Sequence, residues 1–336
     1  MSTQLLLDAS KNGDLAQVKE LLNRGVPVNC RNQDGCTPLL WASANGHSTV
    51  VQCLVDARAA LESPNSRSET SLFRASVRGH IDVVQCLINA RAALDTPNSH
   101  GETPLYRAST NGHLPVVQYL VDARAALDTP NSHGETPLYR ASFYGHLPVV
   151  QCLINARATL DTRDSNGRTP LFWASADGHP TVVKCLIDAR ASIDARDSNG
   201  WTPLFWASEN GHDDVIRRLV DARATLDIRD PGGWTPLSRA SWRSRINTVK
   251  CLIEIGAWIY ACNKDNETPL DLSSKNPEVR DVLMTSNQVW RPAVHSLAPK
   301  TTQKTIQTIM ILWSCQDCSI TNLSPELLFL IFNFLF

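Results

Sequence analysis

The sequence predicts an all-α repeat solenoid, in which stacked helix pairs are joined by hairpin-like loops. The first observation is a threonine that recurs every 33 residues without insertion. These register threonines are Thr37, Thr70, Thr103, Thr136, Thr169, Thr202, Thr235 and Thr268. The second observation is that signals which begin and end two short helices recur in every interval. Because helices this short are unstable alone, they must bury their apolar faces against neighbouring repeats.

Each repeat opens with the signals of a first helix. The register threonine is a good N-cap, and the proline that follows it suits the first helical position, where its missing N–H costs nothing. About nine residues later, a glycine suited to the left-handed C′ position predicts the helix end. These glycines are Gly46, Gly79, Gly112, Gly145, Gly178 and Gly211.

A second helix follows, with apolar residues such as Val149, Val150 and Leu153 on one face. The sequence Ala-Arg-Ala comes after it in six repeats, where Gly25 and Gly256 stand in two others. A left-handed arginine costs about 1–2 kcal/mol, so we expect a different loop conformation there. These arginines form either a solvated ridge or a basic ladder for an acidic partner. They are Arg58, Arg91, Arg124, Arg157, Arg190 and Arg223.

The shared text T-P-L, then A-S-x-x-G-H-x-x-V-V-x-C-L, resembles the ankyrin repeat, which pairs a hairpin-like loop with two antiparallel helices. The resemblance covers residues 1–284. Residues 1–36 are interpreted as an N-terminal capping repeat and 37–284 as eight further repeats, of which the last is atypical. Ser71 replaces the proline of one repeat, and Ser244-Arg245 replaces the Gly-His of another.

The resemblance implies that loop tips and first helices form a concave binding face. The fourth residue after the register threonine is Arg or Trp in seven repeats, and both types are enriched in interface hot spots. We predict a partner-binding surface with a cationic section followed by an aromatic one. Packing between helices is the alternative, but it explains Trp201 and Trp234 poorly because they immediately precede their threonines. The candidate residues are Trp41, Arg74, Arg107, Arg140, Phe143, Tyr144, Trp173, Trp201, Trp206, Trp234, Arg239 and Trp242.

Recurring histidines and cysteines are interpreted as structural, and we predict no metal and no cofactor. Residues in neighbouring repeats should lie about 8–10 Å apart, too far to share one zinc ion at about 2 Å. The histidines are His47, His80, His113, His146, His179 and His212. The cysteines lie beside valines and leucines of the second helix, which favours small buried thiols and a reducing, cytoplasmic or nuclear compartment. They are Cys53, Cys86, Cys152, Cys185 and Cys251.

The C-terminal segment departs from the repeat. Residues 285–319 are predicted to be a linker with a short apolar segment, and residues 320–336 resemble the opening of an F-box. That resemblance implies docking on a Skp-family adaptor of a cullin-type ubiquitin ligase, with an amphipathic helix packed on the stack as the alternative. The matching residues are Leu323, Pro325, Leu327, Leu328, Ile331, Phe332 and Leu335.

Composition narrows the function further. With 32 basic and 33 acidic residues, the net charge is −1, which disfavours a dedicated nucleic-acid binder. The longest apolar run, 327–336, is half of what a membrane helix needs, so we predict no membrane span. We find no nucleophile motif or phosphate-binding loop, and predict no enzyme.

The sequence predicts a protein-interaction scaffold, in its more specific form a substrate adaptor of a ubiquitin ligase. Nucleic-acid or acidic-partner binding through the arginine columns is the rival.

Overall fold

A computed structural model of the protein describes residues 2–288. All regular secondary structure in this range consists of helices, and the range contains no strand. Residues 289–319 of the predicted linker and the whole F-box-like segment lie outside the described residues. The first helices of the nine pairs are α1 Ser2–Asn12, α3 Pro38–Ala44, α5 Ser71–Arg78, α7 Pro104–Thr110, α9 Pro137–Phe143, α11 Pro170–Ala176, α13 Pro203–Asn210, α15 Pro236–Trp242 and α17 Pro269–Leu272. The second helices are α2 Leu15–Asn23, α4 Ser48–Asp56, α6 Ile81–Asn89, α8 Leu114–Asp122, α10 Leu147–Asn155, α12 Pro180–Asp188, α14 Asp213–Asp221, α16 Ile246–Glu254 and α18 Pro277–Gln288.

The chain divides into two compact units. One comprises Met1–Ala174 and Lys184–Ser192, and the remaining described residues form the other. In the first unit α1, α3, α5, α7 and α9 pack in series, as do α2, α4, α6, α8 and α10. In the second unit α13, α15 and α17 pack in series beside α14, α16 and α18. This serial packing of helix pairs confirms the predicted fold class.

The register threonines cap the first helices as predicted. Thr103 Oγ1 accepts the backbone N–H of Tyr106 at 3.2 Å, and the equivalent bond recurs in the other repeats. Thr70 caps α5 in the same way although Ser71 replaces the proline. The loops before them are hairpin-like: the N–H of Asn98 donates to the carbonyl of Glu102 at 2.9 Å, which closes the hairpin.

The Gly-His dipeptides connect neighbouring repeats. Gly79 adopts a φ of +76°, and a Cβ there would meet the ring of His113 at 2.7 Å. The Nε2 of His113 donates to the carbonyl of Val77 at 3.0 Å, and four further histidines make the equivalent bond. The expected structural role is therefore confirmed for these five. Where Ser244-Arg245 replaces Gly-His, Arg245 Nε donates to the carbonyl of Glu209 at 3.1 Å and takes the place of the histidine.

The expectation of a different loop at the Ala-Arg-Ala sequences was wrong. All six arginines are left-handed, with φ between 62° at Arg58 and 71° at Arg190, as are Gly25 and Gly256. Two hydrogen bonds hold the turn. The N–H of Arg124 donates to the carbonyl of Val121 at 2.9 Å, and that of Ala125 to Leu120 at 3.0 Å. Because these bonds satisfy the last carbonyls of the helix, they offset the backbone cost of a left-handed arginine.

The core consists of apolar residues from both helices of each pair. Leu105, Leu120, Leu138 and Leu153 are fully buried. Among the repeat cysteines, Cys152 and Cys251 are buried as predicted, whereas Cys53, Cys86 and Cys185 are only half-buried. Burial raises the pKa of the Cys152 and Cys251 thiols, which makes them unreactive.

The last pair is shorter between its helices, as the sequence indicates. Helix α17 has only four residues. Helix α18 runs to Gln288, four residues past the boundary placed at residue 284. No residue from Thr285 to Gln288 breaks a helix, since the next proline in the sequence is Pro292.

Candidate functional site

Two positions around a register threonine contact each other in six repeats, and we call them the flanking pair: the residue just before the threonine and the fourth residue after it. In three repeats the flanking pair is a Glu–Arg ion pair. The nitrogen–oxygen distances are 3.6 Å for Glu69–Arg74, 3.6 Å for Glu102–Arg107 and 3.5 Å for Glu135–Arg140. The arginine side chains are only 23%, 30% and 19% exposed. The predicted cationic section is therefore wrong, since a glutamate neutralises each arginine.

Further hydrogen bonds hold these glutamates in place. Glu135 Oε2 accepts from the hydroxyl of Tyr106 at 2.8 Å and from the amide of Asn131 at 2.8 Å. The same amide donates to the Tyr106 hydroxyl at 2.9 Å. Burial, together with the hydrogen bond to Glu135, raises the pKa of Tyr106 far above its ordinary value. The network joins two successive repeats and leaves Glu135 little freedom to bind anything else.

In the next repeat the flanking pair is a cation–π contact and not an ion pair. The guanidinium carbon of Arg168 lies 4.6 Å from the ring centroid of Trp173. Asp164 replaces the asparagine of the earlier loops and accepts from Arg168 Nε at 2.8 Å and from the Tyr139 hydroxyl at 2.7 Å. Burial acts to raise the pKa of Asp164, but the hydrogen bond from Tyr139, those from the backbone N–H groups of Arg168 and Asn166, and the charge of Arg168 lower it below its ordinary value.

Four predicted site residues come together in the first unit. Tyr144 is 45% exposed, and its ring packs edge-on against Phe143 at a centroid distance of 4.9 Å. Arg140 Nη2 donates to the Tyr144 hydroxyl at 2.9 Å, and the guanidinium lies 4.9 Å from the Tyr144 ring centroid. Phe143 lies 4.8 Å from Trp173. An aromatic ring open to solvent is thus held by an arginine that Glu135 neutralises.

A second group, which we call the aromatic cluster, lies in the second unit and consists of Trp201, Trp206, Trp234, Arg239 and Trp242. Trp201 stacks on Phe205 at 4.9 Å and lies 5.0 Å from Trp206. Its indole nitrogen donates to Asp230 Oδ2 at 3.1 Å. These contacts correct our expectation, because packing does account for Trp201.

Arg239 lies at the centre of the aromatic cluster. Its guanidinium is 4.6 Å from the ring centroids of both Trp201 and Trp234, and 5.5 Å from that of Trp242. The side chain is 15% exposed, and this burial lowers the pKa of Arg239. Trp242 packs edge-on against Trp234 at 6.0 Å, yet it remains 45% exposed. The cluster is therefore tightly packed, with one tryptophan at its solvent side.

The sequence reasoning missed Glu209, whose side chain is only 6% exposed. Its Oε1 accepts from Arg243 Nε at 3.0 Å and from Arg243 Nη2 at 2.6 Å. Its Oε2 is 3.4 Å from Arg239 Nε, an ion pair without hydrogen-bond geometry. A signal was present, because Val77, Thr110 and Ala176 occupy the equivalent position in other repeats. An acid among such residues indicates a basic partner.

Trp41 belongs to neither group of contacts described above. It lies on α3, where the Lys11 ammonium nitrogen is 5.0 Å from its ring centroid.

The arginines of the Ala-Arg-Ala turns are exposed, and none forms an ion pair with a described residue. An acidic series runs beside them. Asp95 accepts the N–H of Ala126, two residues after Arg124, at 3.0 Å, and Asp128 accepts that of Thr159 at 2.9 Å. The equivalent bond recurs for Asp161, Asp194 and Asp227. This acidic series favours a solvated ridge of mixed charge over a basic ladder.

The fold and these contacts define a helical repeat protein of the solenoid class. The family model of ankyrin repeats in three copies matches the chain over residues 6–98, 87–164 and 150–230. Together these matches cover more than half of the 336 residues, and the chain belongs to the ankyrin-repeat family. A sequence comparison with curated proteins finds no match. Among the described helices, none combines the length and apolar content of a membrane span.

Proposed function

We propose that the chain is a scaffold that binds a partner protein on the surface formed by its first helices and loops. Ankyrin repeats as a family mediate protein–protein interaction, and the finer proposal concerns which surface is used. It rests on one observation: Tyr144, just after α9, and Trp242, at the end of α15, are both 45% exposed and both lie against an arginine. Rigid, exposed aromatic rings beside arginine are typical of interface hot spots.

The test is capture of the natural partner from cells with the full chain and with Tyr144→Ala and Trp242→Ala variants. We expect each variant to retain less partner while its melting temperature stays close to that of the parent. Tyr119→Ala and Trp258→Ala are matched controls, because these half-buried aromatic residues follow or lie on second helices and should not affect capture. Equal loss with the controls would contradict the proposed surface.

The more specific form of this proposal is a substrate adaptor of a cullin-type ubiquitin ligase. It is supported only by the F-box-like residues of the C-terminal segment, such as Leu327 and Leu328, which lie outside the described residues. A pull-down of the full chain with a purified Skp-family adaptor tests it, with a Leu327→Glu, Leu328→Glu variant as control. Binding that the variant loses would support an adaptor, and no binding by the parent chain would contradict it.

The buried thiols support a reducing cytoplasmic or nuclear compartment for such a scaffold, and no disulfide joins the described cysteines. The rival function, nucleic-acid or acidic-partner binding through the arginine columns, is weakened by the glutamates and aspartates beside both columns. Salt distinguishes the two. A nucleic-acid complex would weaken steeply as salt rises, whereas capture through exposed aromatic rings should change little.

A further inference from the structure

Most of the hydrogen-bond acceptors that face the aromatic cluster are engaged within the protein. Asp230 Oδ1 accepts the backbone N–H groups of Gly232 and Trp234 at 2.8 and 2.9 Å, and its Oδ2 accepts from Trp201. Glu209 Oε1 accepts two bonds from Arg243, and its Oε2 faces Arg239 Nε in the ion pair. The Oε2 atom of Glu209 accepts no hydrogen bond but is buried in the ion pair, so a donor from another molecule that approaches the exposed ring of Trp242 cannot reach it. Asp230 keeps one acceptor position, on Oδ2.

Donors, in contrast, remain available to a ligand. The indole N–H groups of Trp234 and Trp242 have no hydrogen-bond acceptor among the described residues, and Arg239 donates no hydrogen bond to any of them. The guanidinium of Arg239 is nevertheless held between Trp201 and Trp234, so its direction is fixed before a ligand arrives. A ligand that fits this surface should therefore bring acceptors and few donors.

The local charges do not favour a charged ligand. Two arginines, Arg239 and Arg243, face two carboxylates, Glu209 and Asp230, and both carboxylates act on the charge of Arg239. The formal sum is zero. An acidic segment would gain little net attraction here and would compete with Glu209, while a basic segment would meet carboxylates that are already occupied.

We infer that the aromatic cluster binds a proline-rich segment of a partner protein in the polyproline II conformation. This inference rests on the proposed function and names the partner chemistry of that site. Proline has a carbonyl acceptor but no N–H, so a run of prolines supplies acceptors without donors. The rings of Trp234 and Trp242 cross at 76°, and crossed aromatic faces receive pyrrolidine rings in known proline-recognition grooves. Polyproline II is already extended, so little ordering entropy is lost on binding.

The test is a titration of the full chain against a fluorescently labelled ten-residue polyproline peptide, followed by anisotropy. We expect saturable binding that changes little between low and high salt. The Trp242→Ala variant should weaken it at least about tenfold, and Trp242→Phe should recover part of the loss by restoring an aromatic face. Tyr119→Ala and Trp258→Ala are controls and should bind like the parent. Circular dichroism melting checks that each variant remains folded.

Three results would overturn the inference: no saturable binding, equal binding by the Trp242→Ala variant, or tighter binding of a polyglutamate peptide of the same length. Comparison with partner capture separates this inference from the proposed function. If Trp242→Ala loses the natural partner but polyproline does not bind the parent, the surface is correct and the proline-rich chemistry is wrong. If neither partner nor peptide depends on Trp242, both proposals fail for this cluster.

Discussion

The Glu–Arg pairs of the first unit and the aromatic cluster of the second occupy the same repeat positions, yet they leave different groups available. Around Glu135, the hydroxyl of Tyr106 and the amide of Asn131 donate to the carboxylate and Arg140 forms an ion pair with it, although Arg140 Nε donates no hydrogen bond. Around Arg239, the carboxylate of Glu209 is buried in ion pairs, while the indole N–H groups of Trp234 and Trp242 and an aromatic face remain available. The comparison teaches that the flanking pair tolerates varied chemistry as long as its two members complement each other. The groups that remain available in each region determine what that region can bind.

The largest effect should be the same in both units, since the core does not differ. Leu153→Ala and Leu252→Ala each remove a fully buried side chain and should cost about 2–5 kcal/mol through cavity formation. Chemical denaturation measures the loss, and hydrogen exchange should show loosening mainly in the neighbouring repeats. Uniform loosening of residues 2–288 would contradict nearest-neighbour stacking.

Within the aromatic cluster, substitution of a packed tryptophan should cost more unfolding free energy than substitution of an exposed one. Trp201→Ala removes the stack on Phe205, the face that Arg239 contacts and the bond to Asp230, so we expect a loss of about 2–3 kcal/mol in unfolding free energy. The exposed Trp242→Ala should cost less than about 1 kcal/mol. Thermal and urea unfolding of the two variants measure both losses. Equal losses would remove the distinction between an anchoring and a binding tryptophan.

In the first unit, Glu135→Ala should cost about 1–3 kcal/mol, because it leaves Tyr106, Asn131 and Arg140 without their acceptor. Glu135→Gln keeps one carbonyl oxygen and should lose less. The measurement is urea unfolding, with partner capture alongside it. If Glu135→Ala reduced partner capture as strongly as Trp242→Ala at unchanged stability, the Glu–Arg region would be a binding surface. The contrast between the two units would then be wrong.

Asp164 links the comparison to pH. Its pKa in the folded protein lies below the ordinary 3.8, so its contribution to stability is present above that pH and is lost as the pH falls through the folded value. Asp164→Asn should cost about 1–2 kcal/mol at neutral pH, and the difference from the parent should shrink in acid. Adding Arg168→Glu recreates the Asn–Glu arrangement of Asn131 and Glu135, and should recover part of the loss. A difference that grows in acid would contradict this account.

The smallest effect should come from the left-handed turns. Arg124→Gly relieves a backbone cost of about 1–2 kcal/mol, partly offset by about 0.5–1 kcal/mol of added chain entropy in the unfolded state. We expect a gain of up to about 1 kcal/mol, and the same for Arg223→Gly in the other unit. Melting curves measure it. A loss of stability would mean that the arginine side chains make contacts that matter to the fold.

Much of the fold was predictable from single repeats. Thr103 caps its own helix through a hydrogen bond, and the proline after it and Gly112 act through the conformation of their own backbone, so their effect can be seen in the sequence. The stacking of helix pairs followed from the 33-residue period, because short helices have no other way to bury their faces. The candidate site was predictable only as a set of residue types, and the cationic section was wrong because Glu135 and its equivalents were not weighed.

The sequence by itself determined the repeat length, the helix caps and the buried positions, because the caps depend on residues of one repeat and the buried positions follow the recurring apolar pattern. Only the tertiary structure decided which side chains neutralise one another, since Tyr106 bonds Glu135 and Arg243 bonds Glu209 across 29 and 34 residues. It also decided the turn at Arg124, whose backbone cost pointed towards another conformation. That turn persists because hydrogen bonds within it and the stacked repeats around it outweigh a local penalty of about 1–2 kcal/mol.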